Sequence, residues 1–267
     1  MSYEVLAVRY ATREGTRRES FHGYLAYDEP DGPLVMDYFF WILRGPDGKV
    51  TMVDCGFDDG RSVHAGMEVL IEPAEALALL GVEPEAVELV IITHLHYDHT
   101  GNLDLFPNAE FAVAERDLEF WTGPLADRIQ FASHANSQDV EFVDRARREG
   151  RVRLLGEDEE ILPGVRALRV GGHSPGQLVL VVDGPGQGVV LTSDTIHYYE
   201  ELELDRPFAV VSDLAEMYRA YEVLRDLVGS GDRVLVAGHD PLVAERFPAA
   251  PGGDGLVLSI TGPTGGE

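Results

Sequence analysis

The chain has 267 residues, of which 45% are hydrophobic, and this is enough for one sizeable core. Its 21 basic and 47 acidic residues give a formal charge of −26, which repels nucleic-acid backbones and anionic membranes, so neither is an expected partner. The single cysteine excludes a disulfide within the chain. We expect no signal peptide and no membrane-spanning helix, and therefore a cytoplasmic protein.

The first 56 residues have the pattern of a β meander. A strand is predicted at 5–10, and the charged residues 14–18 predict a turn. Residues 36–43 are rich in aromatic and β-branched side chains and predict a longer strand. The turn sequence at 45–48 predicts a hairpin, with a return strand at 50–53 that ends at Asp54.

The middle of the chain predicts alternating helices and strands. A loop with a short helix is expected over 57–71, and a helix over 72–80, since Pro73 suits a first turn and Gly81 follows the end. Strands at 89–93 and 109–114 flank further loops, and a helix is predicted at 115–121. Residues 123–150 mix aromatic and charged side chains, and we interpret them as an inserted helical segment that covers a site.

The last part of the chain again favours strands, at 152–155, 165–170, 177–182, 189–193 and 234–237. The clearest helix covers 213–228, where one apolar stripe runs between a capping aspartate, Asp213, and Gly229. We therefore predict a single α/β domain over 1–267, with two sheets packed face to face and helices outside.

A cluster of histidines directly follows the buried strand at 89–92. Three histidines and one aspartate fall within six positions: His94, His96, Asp98 and His99. Imidazole and carboxylate groups are the ligands of a borderline transition metal such as zinc. His94 and His96 lie two residues apart, so in an extended segment they point the same way.

Three more candidate ligands follow other apolar strands, and strand ends are where α/β sheets place their ligands. They are His173, Asp194 and His239. Seven groups suffice for two metal ions. One ion would take His94, His96 and His173, the other would take Asp98, His99 and His239, and Asp194 would bridge them.

This constellation resembles the metallo-β-lactamase superfamily, through the His-x-His-x-Asp-His motif and the order of the later ligands. Asp54 also matches a position that in that superfamily supports the motif loop. The resemblance implies a four-layer αββα sandwich and a hydrolase with two divalent metal ions. Zinc is the first candidate for these ions, and manganese, iron and cobalt are the alternatives. Its partner would be a small-molecule substrate, and a homodimer is the assembly considered.

Within the superfamily the chain is most similar to the N-acyl homoserine lactonase-like branch. The similarity lies in residues 94–101, 172–176, 193–195 and 238–241 and in the aromatic strand at 37–41. Asp194 stands where some β-lactamases have cysteine, and His96 stands where flavodiiron proteins have glutamate. Glyoxalase II-like thioesterases share all seven ligands and remain the alternative, together with other carboxylic ester or amide hydrolases.

The resemblance implies that a metal-bridging hydroxide opens a lactone or related cyclic ester, with an N-acyl homoserine lactone as one candidate. Asp98 would orient the attacking hydroxide or carry a proton to the leaving group. The branch usually has a tyrosine three residues after the bridging aspartate, but this chain has His197 there, followed by Tyr198. We therefore expect His197 or Tyr198 to assist the substrate carbonyl.

Overall fold

The computed structural model describes residues 1–57 and 66–262. Its thirteen strands are β1 Glu4–Thr16, β2 Pro33–Arg44, β3 Val50–Val53, β4 Met67–Val69, β5 Leu89–Ile92, β6 Glu110–Ala114, β7 Val152–Leu155, β8 Asp158–Leu162, β9 Val165–Arg169, β10 Leu178–Val182, β11 Gly188–Leu191, β12 Arg233–Val236 and β13 Val257–Ser259. Its eight α-helices are α1 Arg17–Ser20, α2 Pro73–Leu79, α3 Tyr97–Thr100, α4 Glu115–Trp121, α5 Ser137–Arg148, α6 Tyr199–Leu204, α7 Leu214–Val228 and α8 Leu242–Arg246.

The strands form two mixed sheets. The first has the order β13-β1-β2-β3-β5-β6-β7, with β4 also paired to β1, and the second has the order β12-β11-β10-β9-β8. The pairs among β3, β5, β6 and β7 are parallel, as is β11 with β12. Parallel neighbours direct their carboxyl ends to one edge of their sheet, so the residues that follow β11 and β12 lie together at one edge of the second sheet. The residues that follow β5 lie at an edge of the first sheet.

Alternation along β2 shows how one strand serves two cores. Phe39 and Trp41 face the core between the two sheets, while Tyr38 and Phe40 face the opposite core on the outer side of the first sheet. Successive side chains of a strand point to opposite faces, so the part of β2 that is buried on both faces, residues 38–43, is a continuous apolar run. Helices α4 and α5 cover the outer side of the first sheet, and α7 covers the second.

The predicted αββα sandwich is confirmed. The long aromatic strand and the helix at 214–228 also lie where the sequence predicts them, and the Asp213 side chain caps α7 by accepting from the Glu216 N–H at 2.8 Å. The predicted turn at 14–18 is wrong: β1 continues to Thr16 because it pairs with β2 along almost its whole length, and a short helix starts at Arg17.

The covering segment begins as a series of turns after α4 and continues as α5. The Tyr97 N–H donates to the His134 carbonyl at 3.0 Å, which ties this segment to the histidine loop. Part of the loop predicted over 57–71 lies outside the described residues, and its described end forms β4. No helix in the described ranges is long and apolar enough to cross a membrane.

Candidate metal centre and active site

The seven predicted ligands meet at one edge of the sandwich, and all are buried. Their side-chain atoms form two groups, each with its atoms within 4.8 Å of one another. The first group is His94, His96, His173 and Asp194, and the second is Asp98, His99, Asp194 and His239. This division is the one the sequence predicts, with Asp194 common to both groups.

Asp194 presents one carboxylate oxygen to each group. Its Oδ2 lies 3.3 Å from His173 Nε2 and 3.8 Å from His94 Nε2, while its Oδ1 lies 3.2 Å from His99 Nε2 and 3.1 Å from His239 Nε2. A carboxylate with this orientation can bridge two ions. Asp194 belongs to a tight 3-10 turn after β11, and its predecessor Ser193 has a positive φ of 45°.

Backbone carbonyls fix the orientation of two ligand imidazoles. His173 Nδ1 lies 2.9 Å from the Val210 carbonyl, and His239 Nδ1 lies 2.8 Å from the Asp37 carbonyl. A carbonyl can only accept, so Nδ1 carries the proton in both rings. The lone pair is therefore on Nε2, which faces the centre, as a metal ligand requires.

Asp54 supports the motif loop from the end of β3. Its Oδ1 accepts from the Thr93 N–H at 2.8 Å, and its Oδ2 accepts from Thr93 Oγ1 at 2.8 Å and from His99 Nδ1 at 2.7 Å. Burial raises the pKa of Asp54, although His99 and Thr93 oppose that rise. Asp54 thereby directs His99 Nε2 toward the second group.

The electrostatics of the first group favour neutral imidazoles. Burial lowers the pKa of His94 and His96 well below the usual range, with neighbouring histidines adding to the effect, and lowers the pKa of His173 to about 3. Neutral imidazole is the form that binds a metal ion.

The second group carries excess negative charge. Burial opposes protonation of His99, but Asp98, Asp194 and Asp54 raise its pKa well above the usual range. The buried Nε2 atoms of His94 and His99 have no hydrogen-bond partner among the described residues. Unpartnered ring nitrogens beside clustered carboxylates fit a divalent cation in each group.

His197 lies directly beside the bridging aspartate. Its Nε2 is 3.0 Å from Asp194 Oδ2 and its Nδ1 is 3.4 Å from Glu201 Oε1, while its ring stacks on Phe208 at 3.6 Å between centroids. Although burial opposes it, Asp194 and Glu201 raise the pKa of His197 to about 9. His197 therefore places its Nε2 directly against the bridging carboxylate at the centre.

Tyr198 points elsewhere. Its ring packs against Phe21 at 5.8 Å, in an aromatic cluster that also includes Tyr24, and burial raises its pKa. It is not among the described residues that line the cleft above the centre. Of the two residues predicted to assist the carbonyl, the structure brings only His197 to that cleft.

Asp117 on α4 joins the two loops of the first group. Its Oδ2 accepts from the Leu95 N–H at 2.7 Å, and its Oδ1 accepts from the Gly176 N–H at 3.0 Å and from the Ser174 hydroxyl. Leu95 lies between two ligands, and Ser174 directly follows a third. Burial raises the pKa of Asp117 to about 6. Asp117 could not be identified from the sequence alone, where its only signal is its place as an acidic residue in the first turn of a helix that follows a buried strand.

Glu201 is a second supporting residue that could not be identified from the sequence. This fully buried carboxylate accepts from the N–H groups of His197 and Tyr198 at 2.7 and 2.9 Å and from the Tyr221 hydroxyl at 3.0 Å. It therefore fixes the backbone on which His197 is held. Its signal was weak, since its sequence position next to other acidic residues resembles an ordinary surface helix.

The cleft above the centre has a volume of about 160 Å³. Ligand residues form its floor, and Met36, Tyr38, Val210 and Phe208 line its walls. Arg13 is the one arginine or lysine in the described lining. The cleft therefore suits a small group placed directly over the two ligand groups.

A sandwich of two sheets with five histidines and two aspartates grouped at its edge defines a metal-dependent hydrolase. The chain belongs to the metallo-beta-lactamase superfamily, because the model of that family matches residues 37–239. The sequence-based assignment to this superfamily is thus confirmed.

Among curated proteins, the chain is similar to an N-acyl homoserine lactonase from Bacillus sp, with 29% identity over 79% of this chain and 84% of the relative. Among solved structures, it is similar to a quorum-quenching N-acyl homoserine lactone lactonase, with a TM-score of 0.72, 21% identity and coverage of 90% of this chain and 94% of the other. A dizinc quorum-quenching lactonase in complex with a product has a TM-score of 0.69 at 14% identity, covering 90% and 88%. At these identities the solved structures establish the shared fold.

Proposed function

We propose that the protein is a lactonase that hydrolyses cyclic esters, with N-acyl homoserine lactones as the substrate class to test first. The observation that carries the proposal is Asp194, whose two oxygens face two separate groups of buried ligands. The activity of the Bacillus relative supports the choice of a lactone.

Two divalent ions would be held by the two ligand groups, and zinc is the first candidate because imidazole and carboxylate are its usual ligands. The dizinc lactonase of the same fold supports that choice. Manganese, iron and cobalt are compatible with the same donors. When bound, such a pair of ions lowers the pKa of a water toward about 7 and stabilises the attacking and leaving oxygens of a hydrolysis.

The chain's own residues supply the remaining chemistry. His197 lines the cleft with its Nε2 3.0 Å from Asp194 Oδ2, and from there it donates a hydrogen bond to the oxygen that becomes negative as the carbonyl is attacked. Asp98 Oδ2, 3.6 Å from His239 Nε2, holds the proton of the attacking water and passes it to the leaving alkoxide. Burial of both side chains keeps their positions fixed.

The alternative of a glutathione thioesterase is less well supported. That substrate carries carboxylates, which need several cationic partners, and the described lining of the cleft offers only Arg13. A small cleft with a single cationic side chain in its described lining favours an ester ring instead.

The test is a hydrolysis screen on metal-loaded protein, with proton release as the readout. The panel would contain lactones, a glutathione thioester, a β-lactam and a phosphodiester. We expect turnover of lactones above the other classes. Activity confined to the thioester or the phosphodiester would exclude a lactonase while leaving the metal centre intact.

A further inference from the structure

The His239 imidazole is held by a strand of the first sheet, although His239 itself follows a strand of the second. Its Nδ1 donates to the carbonyl of Asp37 on β2 at 2.8 Å, and the Asp37 N–H donates to the His239 carbonyl at 3.0 Å. The two residues are therefore paired through both polar groups of the Asp37 backbone. The position of Asp37 consequently sets the direction in which His239 Nε2 faces the second ligand group.

The Asp37 side chain is anchored to β1. Its Oδ2 lies 2.7 Å from Arg9 Nε, and its Oδ1 accepts from Arg9 Nη2 at 2.8 Å and from the Thr12 hydroxyl at 2.7 Å. The Asp37 side chain is 1% exposed, whereas that of Arg9 is 30% exposed. A buried carboxylate that a guanidinium holds through both oxygens has little freedom to move. The backbone of Asp37 is thus fixed by its own side chain.

A bulge in β1 makes this anchor possible. The pairing of β1 with β2 shifts register at Tyr10, which is an extra residue without a partner on β2. Residues three apart on a regular strand point to opposite faces. The extra residue resets that alternation, so Arg9 and Thr12 both reach the Asp37 carboxylate. The Tyr10 hydroxyl donates to the Asp98 carbonyl at 2.9 Å, so the same bulge also contacts the motif loop.

The carbonyl that orients His173 in the first group has a different setting. It belongs to Val210, whose apolar side chain lines the cleft and cannot form an ion pair. Arg9 and Asp37 lie outside the described lining of the cleft. A substrate placed over the centre therefore does not contact the pair, and the pair acts on the centre through His239.

We propose that the Arg9–Asp37 ion pair is the positioning device of the second metal site. The pair fixes the Asp37 carbonyl, the carbonyl holds the proton on His239 Nδ1, and the ring then presents its Nε2 to the centre. That Nε2 lies 3.1 Å from Asp194 Oδ1. The inference rests on the proposed function, because it requires one ion in each ligand group. Arg9 and Asp37 are positioning residues, since both act through His239.

The experiment titrates metal-free protein with Co²⁺ at pH 7.5, followed by absorbance, with bound metal counted after gel filtration. Asp37→Asn keeps the shape of the side chain but removes its charge, and Arg9→Met removes the cation. We expect each variant to bind its second Co²⁺ at least about tenfold more weakly and its first as tightly as the unmodified protein. With one ion bound, the absorbance spectrum of each variant should match that of His239→Ala, in which the second site lacks a ligand.

A matched control separates positioning from general stability. Glu4 and Arg44 form an ion pair at 3.5 Å between the same two strands, at the end of their pairing that is farther from Asp37. Glu4→Gln makes the same chemical change as Asp37→Asn. It should leave the affinity for both ions unchanged, even where it lowers the unfolding midpoint in urea.

The outcomes are distinguishable. The inference would be overturned, and the proposed function would stand, if both variants bound two ions as tightly as the unmodified protein or lost affinity equally for both ions. A loss of the second ion in Glu4→Gln as large as that in Asp37→Asn would overturn it as well. An unmodified protein that bound fewer than two Co²⁺ ions per chain would instead overturn the proposed function, and the inference with it.

Discussion

Asp117→Asn tests how the fold holds the first ligand group. Asp117 accepts hydrogen bonds on both oxygens from three donors in two loops. Asparagine keeps one oxygen and replaces the other with an NH2 group. If the remaining oxygen faces Ser174 and Gly176, the NH2 meets the Leu95 N–H, and that buried donor, between His94 and His96, loses its partner.

The magnitude follows from two opposing terms. An unpaired buried donor costs about 1–3 kcal/mol. Against this, a pKa of about 6 compared with the usual 3.8 means that ionised Asp117 costs the folded state about 3 kcal/mol at neutral pH, a cost that asparagine removes. We therefore expect little change in the unfolding midpoint. Metal affinity of the first group should nonetheless fall by about 10–100-fold, because the support of its ligands is disturbed.

The dependence on pH sharpens the prediction. The folded-state pKa of Asp117 is raised, so the protonated form stabilises the fold fully below 3.8, and this contribution is lost as the pH rises through about 6. Protonated Asp117 also has one oxygen fewer available as a pure acceptor. The difference in metal affinity between the unmodified protein and Asp117→Asn should therefore be largest above pH 6 and shrink below it.

The assay is a titration of metal-free protein with Co²⁺, followed by absorbance, with bound metal counted after gel filtration. Asp139→Asn, a change at a buried aspartate on α5, serves as the control. The reasoning would be refuted if Asp117→Asn bound both ions as tightly as the unmodified protein at pH 7.5. It would also be refuted if the variant lost affinity equally for both ions.

Three further predictions concern the other supports of the site. Asp54→Asn should lower the affinity for the second metal ion by about 10–100-fold and leave the affinity for the first unchanged, because it disturbs His99. Counting the bound metal checks this. His197→Phe should lower kcat by about 10²–10³-fold with both metals retained, whereas Tyr198→Phe should leave kcat near that of the unmodified protein; the reverse result would reassign the carbonyl contact. Gly176→Ala should destabilise the fold by about 1–3 kcal/mol in urea unfolding, because its Cβ would overlap the backbone of α4, and an unchanged midpoint would contradict this.

The ligands themselves could be predicted from the sequence because they follow predicted strands, and the ends of neighbouring strands converge. The two-residue spacing of His94 and His96 is a local signal of the same kind. Asp194 could be placed between the groups because its strand and those before His173 and His239 belong to one sheet edge.

The supports of the ligands could not be predicted in the same way. Asp117 acts on Leu95 and Gly176, which lie 22 and 59 residues away, and only tertiary packing brings α4 to both loops. Tyr198 is adjacent to His197 in sequence, and both precede α6, with Tyr198 as its extended N-cap residue. Successive side chains of an extended segment point to opposite sides, and the sequence does not show which of the two residues faces the centre.

The central claim is that hydrolysis depends on a pair of metal ions held by seven side chains. The most direct measurement is lactone turnover, followed by proton release, as metal-free protein is titrated with Zn²⁺ and bound metal is counted. We predict negligible turnover without metal and full turnover as two equivalents bind per chain, with His239→Ala limited to one tightly bound equivalent and little activity. Turnover that persists unchanged after the metal is removed would contradict the account.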